Sequence, residues 1–252
     1  MHPFYQSEWQ NIPLASCAKL SCAALPDAAF YSAFYEVFFR KYRSFSDMPA
    51  TWTAQKEIWA AKVVSCLPAF EAPNVLSVGC GIGRLESVML EKRADIRLHC
   101  TEITDNSMRW IRPLLPEGRC HVGYVPDCLP PDLAFDLIYC GNIEYAMPDA
   151  AWLNLLRALR ERLTAGGEIL ILSTSFLSES PKSVIGRARR CRQALRALGH
   201  RLGLKEAQFW GWLRTVEENT ALCREAGLSS VRHGLLDDDP HCLWIRACSV
   251  NG

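Results

Sequence analysis

The sequence predicts an α/β fold: a seven-stranded, mostly parallel sheet with helices on both faces and a closing antiparallel hairpin. Three observations carry that expectation. The first is Asn74 to Glu86, N-V-L-S-V-G-C-G-I-G-R-L-E. Val75, Leu76 and Val78 form a short apolar run of the kind that makes a buried strand, and Gly79, Gly81 and Gly83 follow it directly. The second is the succession of further short apolar runs, most of them followed by a segment of helical period and the one at Cys120 to Val125 by a proline-rich turn, which is the pattern of strand and crossover. The third is a pair of strand patterns near the end, 230–236 and 242–248, joined across Asp237-Asp238-Asp239-Pro240.

Composition sets the bounds. A chain of 252 residues suits one domain with additions and buries roughly 70–75% of its unfolded surface. A net charge of +1 with 49% hydrophobic residues gives no global bias toward nucleic acid, so no nucleic-acid partner is expected. The twelve cysteines are scattered, without C-x-x-C pairs or Cys/His ligand spacing, and read as small apolar residues rather than metal ligands. No apolar run approaches the length of a membrane span, so a cytoplasmic protein is expected. Leu14-Ala15-Ser16-Cys17 resembles a lipoprotein cleavage box, but no Lys or Arg and no continuous apolar core precedes it.

In chain order, residues 1–25 show no clear period and read as an arm. Asp27 is placed to cap a helix carrying Phe30, Tyr31, Phe34, Tyr35, Phe38, Phe39 and Tyr42 at three- and four-residue steps, a stripe that reads first as core. A second helix, about Thr53 to Cys66, stops at Pro68. These two helices and the arm, residues 1–70, are expected to cover the site, and residues 71–252 to form the main domain.

After the glycine turn comes a helix ending near Lys92, then a strand, Ile96 to Cys100, that runs into Thr101-Glu102-Ile103-Thr104. An acidic residue at that strand end suits a ribose, because a carboxylate accepts hydrogen bonds from two neighbouring hydroxyls. Cys120 to Val125 reads as a third strand and Phe135 to Cys140 as a fourth. The latter delivers Gly141-Asn142-Ile143-Glu144-Tyr145 to the crevice outside the carboxyl ends of the strands. Asp149 can cap the next helix, Gly166-Gly167 would end it, and Ile169 to Ser173 forms strand five. Residues 182–205 hold eight basic and no acidic residues, with Val184, Ala188, Cys191, Leu195, Leu198 and Leu202 at helical spacing. This insertion, bounded at 180–206, reads either as a solvated basic helix or as a surface for a phosphate-bearing acceptor or an anionic membrane, the latter putting the protein at the inner membrane face. Thr215-x-x-Glu218 is a capping box.

The glycine spacing is G-x-G-x-G, whereas a dinucleotide turn is G-x-G-x-x-G, with Arg84 here in the third glycine's place. Val78 to Gly83, V-G-C-G-I-G, resembles the first motif of class I S-adenosylmethionine-dependent methyltransferases, whose fold is Rossmann-like. Glu102, F-D-L-I at Phe135 to Ile138 and the Arg160 to Ile171 run extend the resemblance over about residues 74 to 248. Phe30 to Arg40 is also similar to a stretch that precedes the methyltransferase domain in some enzymes of bacterial surface-polysaccharide assembly. The resemblance implies S-adenosylmethionine as cofactor, held by Gly79, Cys80, Gly81, Gly83, Glu102, Ile103, Asp127 and Asn142. Near Asp127, Tyr124 fits the usual distance to the next strand better. Glu144 and Tyr145 are the expected catalytic residues, with Tyr145 standing where many relatives have His; His121, His233 and His241 are outsiders. The implied reaction is methyl transfer to an oxygen of a small molecule or a surface-glycan sugar. Two rivals are a catalytically inactive binding module of the same fold and a nicotinamide-dependent oxidoreductase. In-line transfer from a sulfonium requires no metal, and none is expected.

Overall fold

The computed structural model describes residues 2–177 and 206–249, with Cys191, Ala194, Leu195, Leu198, Gly199, Leu202 and Leu204 between them. The basic helix expected over 182–205 therefore lies outside the described residues, apart from those seven positions; six of them, all but Gly199, are exposed.

The first residues are not a patternless arm. They form β1 (His2–Gln6) and a small hairpin of β2 (Glu8–Trp9) and β3 (Ile12–Pro13), which buries Ile12 and Leu14. Helix α1 (Ala28–Lys41) starts where expected, with the Asp27 carboxylate accepting from the Phe30 N–H at 2.8 Å. Then come α2 (Ala50–Ser65), β4 (Asn74–Val78), α3 (Arg84–Lys92) and β5 (Arg97–Glu102). Two short 3₁₀ turns follow, Asn106–Arg109 and Arg112–Leu114, the second with Pro113 in its first turn, where a missing N–H costs nothing. After β6 (Cys120–Val122) and β7 (Phe135–Gly141), α4 (Asp149–Glu161) begins with Asp149 inside the helix; its carboxylate accepts from Arg214 Nε at 2.7 Å rather than capping. Gly166-Gly167 falls within β8 (Leu163–Ser173), where pairing with β7 shifts between Phe135 and Leu137 and Gly166 takes φ 76°. There follow β9 (Phe176–Leu177), β10 (Gln208–Thr215), α5 (Val216–Glu225), β11 (Leu228–Leu236) and β12 (Asp239–Ser249). The Thr215/Glu218 capping box forms as expected, at 2.8 and 3.1 Å.

The main sheet has seven strands in the order β11-β12-β8-β7-β4-β5-β6, with β12 antiparallel to both neighbours and the β8 to β6 pairs parallel. Alternate residues feed opposite faces. Val75, Leu98, Leu137 and Leu170 pack with Trp59, Val63 and Met89 on one side, while Leu76, Ile138 and Ile171 pack with Trp152, Leu156 and Leu222 on the other. A second sheet, β1-β10-β9, was not foreseen: β1 runs antiparallel to β10, whose Trp210 joins Trp9 and the α1 aromatics in a third core. Strand order reverses between β4 and β7, which puts a crevice at their carboxyl ends. No helix of the described residues is long and apolar enough to cross a membrane.

Candidate active site

The crevice is a pocket of about 960 Å³ with the glycine turn as its floor. Gly79 and Cys80 donate their N–H groups to the Thr101 carbonyl at 3.0 and 3.1 Å, fastening the turn to β5. Two glycines are required by close approach. A Cβ on Gly79 would stand 2.7 Å from Ile143 Cγ2, and one on Gly83 would stand 2.2 Å from Ile111 Cβ; both residues also have positive φ. Gly81 differs: its missing side chain leaves the turn open to the pocket, with only Tyr35 Oη at 3.5 Å.

Glu102 ends β5 beside this turn. Gly81 N–H donates to its Oε1 at 2.8 Å and Ile103 N–H to its Oε2 at 3.0 Å, so the carboxylate is aimed by backbone and each oxygen keeps a free lone pair toward the pocket. Burial raises its pKa to about 7, against the lowering effect of the two N–H bonds. A charged, fixed acceptor beside an open glycine turn fits a ligand carrying a vicinal diol.

Among the residues expected to hold a cofactor, Gly79, Cys80, Gly81, Glu102, Ile103 and Asn142 line this pocket. Gly83 lies just behind it, as the left-handed cap of α3. Asn142, at φ 56°, accepts from the Thr174 N–H at 2.7 Å and donates to the Thr174 hydroxyl at 3.0 Å, tying the end of β7 to the end of β8. Asp127 is a correction: it is exposed and outside the wall, which is formed by Gly123 to Pro126 and includes Tyr124, because the turn after β6 comes back toward the pocket before reaching Asp127.

The expected catalytic pair separates. Tyr145 lines the pocket, its Oη accepting from Trp210 Nε1 at 3.0 Å, and burial raises its pKa so that it stays a protonated hydroxyl. Glu144 is 1% exposed and turned away. Ser173 donates to it, its other oxygen has no hydrogen-bond partner among the described residues, and burial pushes it up to about 7. The cause is the 3₁₀ turn Glu144–Ala146, held from behind by buried Arg214, which donates to the Glu144 carbonyl at 2.6 Å and the Met147 carbonyl at 2.5 Å. The three outsider histidines also lie off the wall. His121 pairs with His99 at 3.1 Å, and His233 and His241 are exposed on the far strands.

Above the floor stands an aromatic wall that the sequence only half disclosed. Tyr31, Phe34 and Tyr35 come from the α1 stripe, while Trp9 comes from the β2-β3 hairpin and Trp210 from β10 of the second sheet. Trp9 stacks on Phe34 at 4.6 Å and meets Trp210 edge-on at 5.6 Å. The stripe signalled α1, but nothing local marked Trp9 or Trp210.

Residues 51–233 match the family model described as a methyltransferase domain. No curated protein sequence matches the chain. Among solved structures it is similar to the pyocyanin biosynthetic protein PhzM, at 22% identity and TM-score 0.58 over 88% of this chain and 64% of that one. It is also similar to human N-acetylserotonin methyltransferase in complex with S-adenosylmethionine (17%, 0.55, 94% and 65%). A third is an O-methyltransferase family 2 protein from Planctomyces limnophilus in complex with apigenin (18%, 0.56, 79% and 60%). At these identities the likeness is one of fold, and the chain spans about three fifths of the length of these proteins. The family match covers most of the chain and agrees with the G-x-G-x-G turn, the Glu102 carboxylate and the sheet order, so the dinucleotide reading falls, and the chain belongs to the class I S-adenosylmethionine-dependent methyltransferase family.

Proposed function

We propose that the protein transfers a methyl group from S-adenosylmethionine to an oxygen of a small acceptor with a flat apolar body. The observation that carries this reading is the joining, in one pocket, of the Gly81–Glu102 floor with the aromatic wall of Tyr31, Trp210 and Tyr145. Glu102 accepts the ribose hydroxyls, Gly79 to Gly81 let the ligand come close to the backbone, and Cys80, Ile103 and Asn142 complete that side. The turn Gly123 to Pro126, with Tyr124, edges the base-binding end. When bound, the cofactor supplies an activated methyl on a sulfonium. The wall residues exclude water and hold the acceptor oxygen in line, which can account for about 7–11 kcal/mol of the barrier without any covalent intermediate. Tyr145 is the acceptor-side hydroxyl, and because it remains protonated it orients the acceptor by donating; the acceptor oxygen enters as the phenolate, its proton already lost to water, and takes the methyl as the sulfonium becomes the neutral thioether of S-adenosylhomocysteine. Glu144 supports the turn that carries it.

The test is calorimetry with S-adenosylhomocysteine, followed by product release measured over a panel of phenols and glycosides. Binding with turnover on phenols supports the proposal, and turnover confined to glycosides replaces the flat acceptor with a sugar. Tight binding with no turnover on any acceptor favours an inactive binding module, and absence of binding refutes the cofactor site itself.

A further inference from the structure

Tyr145 is held at three points by one strand, β10. Trp210 Nε1 donates to its hydroxyl at 3.0 Å. Gly211 passes flat against its carbonyl, where a Cβ would stand 1.9 Å from the oxygen, and Arg214 grips the turn on either side of it. The strand register shows how so few residues do all three. Phe4 of β1 pairs with Gly211 and Tyr5 with Phe209, so Trp210 is an extra residue without a partner, a β-bulge. A bulge re-aims the side chain it carries, and here the indole reaches the pocket wall, directly behind the Tyr145 hydroxyl.

Arg214 is the least expected of the three. It is 1% exposed, a burial that is costly for a guanidinium unless its nitrogens are paired. Each nitrogen has a partner: Nε donates to Asp149 at 2.7 Å, one terminal nitrogen to the Glu144 carbonyl at 2.6 Å and the other to the Met147 carbonyl at 2.5 Å. Those two carbonyls bracket Tyr145 and Ala146. A planar fork of fixed angles therefore sets the path of the backbone between them, which the flexible stem and point charge of a lysine cannot do. Filling the space does not call for a charge, since a well-packed apolar side chain of similar volume fills a core without the desolvation cost. What the fork adds is precision at the residue whose hydroxyl faces the acceptor.

We infer that Arg214 is a positioning residue for methyl transfer, acting through Tyr145 and setting turnover rather than cofactor affinity. This rests on the methyl-transfer reading, which puts Tyr145 on the acceptor side. None of the three partners of Arg214 belongs to the cofactor floor, which is built on β4, β5 and the glycine turn. The rate is exposed to the grip because in-line transfer depends on geometry, and a misplacement of about 1 Å can cost about a hundredfold.

The experiment reads the place of Tyr145 and the rate separately. 3-Fluorotyrosine at residue 145 gives a fluorine NMR signal, and the same label at Tyr42, buried in the α1 core, is the control. Arg214→Lys keeps a charge beside Asp149 but loses the fork, so it should shift or split the signal from 145 and leave that from 42 in place. With 4-nitrophenol as acceptor its kcat should fall about ten- to a hundredfold, while S-adenosylhomocysteine affinity by calorimetry stays within about twofold. In a Tyr145→Phe background the same change should cost no more than about twofold further, because two residues acting through one hydroxyl do not add. Arg214→Gln buries no charge, can still donate to one carbonyl, and gives the same readings should the Lys variant not fold. An unmoved signal from 145, a fall in S-adenosylhomocysteine affinity as large as that in kcat, or a full further loss in the Tyr145→Phe background overturns the role of Arg214 and leaves the methyl-transfer reading standing. A parent protein that binds S-adenosylhomocysteine but leaves 4-nitrophenol unmethylated removes the acceptor side on which the role rests, whatever the fluorine signal shows.

Discussion

Replacing Glu102 by Gln tests the cofactor floor directly. The two side chains have nearly the same shape, but the carboxylate accepts from Gly81 at 2.8 Å and Ile103 at 3.0 Å, and an amide can accept from only one of them. Its NH₂ would face the other backbone N–H, donor against donor, and toward the ligand a charged acceptor would become a neutral one. Losing one charge-assisted hydrogen bond costs about 1.5–3 kcal/mol, which corresponds to an affinity for S-adenosylhomocysteine lower by about 10- to 150-fold. The same reasoning fixes a pH profile. With the pKa of Glu102 raised to about 7, the carboxylate needed for the hydroxyls is present above that pH, and below it affinity should fall by up to about tenfold per unit. Folding runs the opposite way. An acid whose folded pKa is raised contributes stability that is fully present below its ordinary value of 4.5 and is lost as pH rises through about 7. In Glu102→Gln both slopes should flatten, leaving only what other groups such as Glu144 add to the stability slope. Calorimetry from pH 5.5 to 8.5 in parallel with urea denaturation reads all of this. An affinity within twofold of the parent, with the acid-side decline intact, would refute the role given to Glu102.

Gly211→Ala would set a Cβ 1.9 Å from the Tyr145 carbonyl oxygen, at a residue with φ +137°, so overpacking and strain together should cost about 2–5 kcal/mol in denaturant unfolding; an unchanged midpoint contradicts that packing. Tyr145→Phe leaves the buried Trp210 N–H unpaired, which costs about 1–3 kcal/mol of stability, and should lower turnover while S-adenosylhomocysteine affinity holds; full turnover would remove Tyr145 from the acceptor side. Arg189, Arg190 and Arg192 changed together to Gln should weaken sedimentation with anionic vesicles at low salt, at about 1 kcal/mol per residue, and if parent and variant sediment alike the basic segment is only a solvated face.

The parts of the site that could be read from sequence are those whose cause is local. The glycine turn, Glu102 at a strand end, the Asp27 cap and the Thr215/Glu218 box each depend on residues a few positions apart. The aromatic wall depends on distant pairing. Trp210 lies next to Gly211, in a strand whose register against β1 shifts between Phe4 and Tyr5, so no clean alternation marks it. Glu144 and Tyr145 show the limit at its sharpest: which of two adjacent residues faces the ligand is decided by Arg214, far along the chain, gripping the turn from behind. Lys56, on the pocket wall, is hidden in the same way. One lysine in a helical period looks solvated until two tryptophans are seen beside it.

The pairing of His2–Gln6 with Gln208–Thr215 joins segments about two hundred residues apart, which has a consequence for how the chain is made. During synthesis the first strand emerges long before its partner, carrying Phe4 and Tyr5, with Trp9 just behind in β2, without the surfaces that later cover them. The cofactor floor needs only β4 to β7 and can assemble midway, whereas closing so long a loop is entropically late and slow. A nascent chain stalled before residue 208 would thus hold a nearly finished nucleotide cradle beside a sticky, unpaired edge, the state in which a holding chaperone would be most useful.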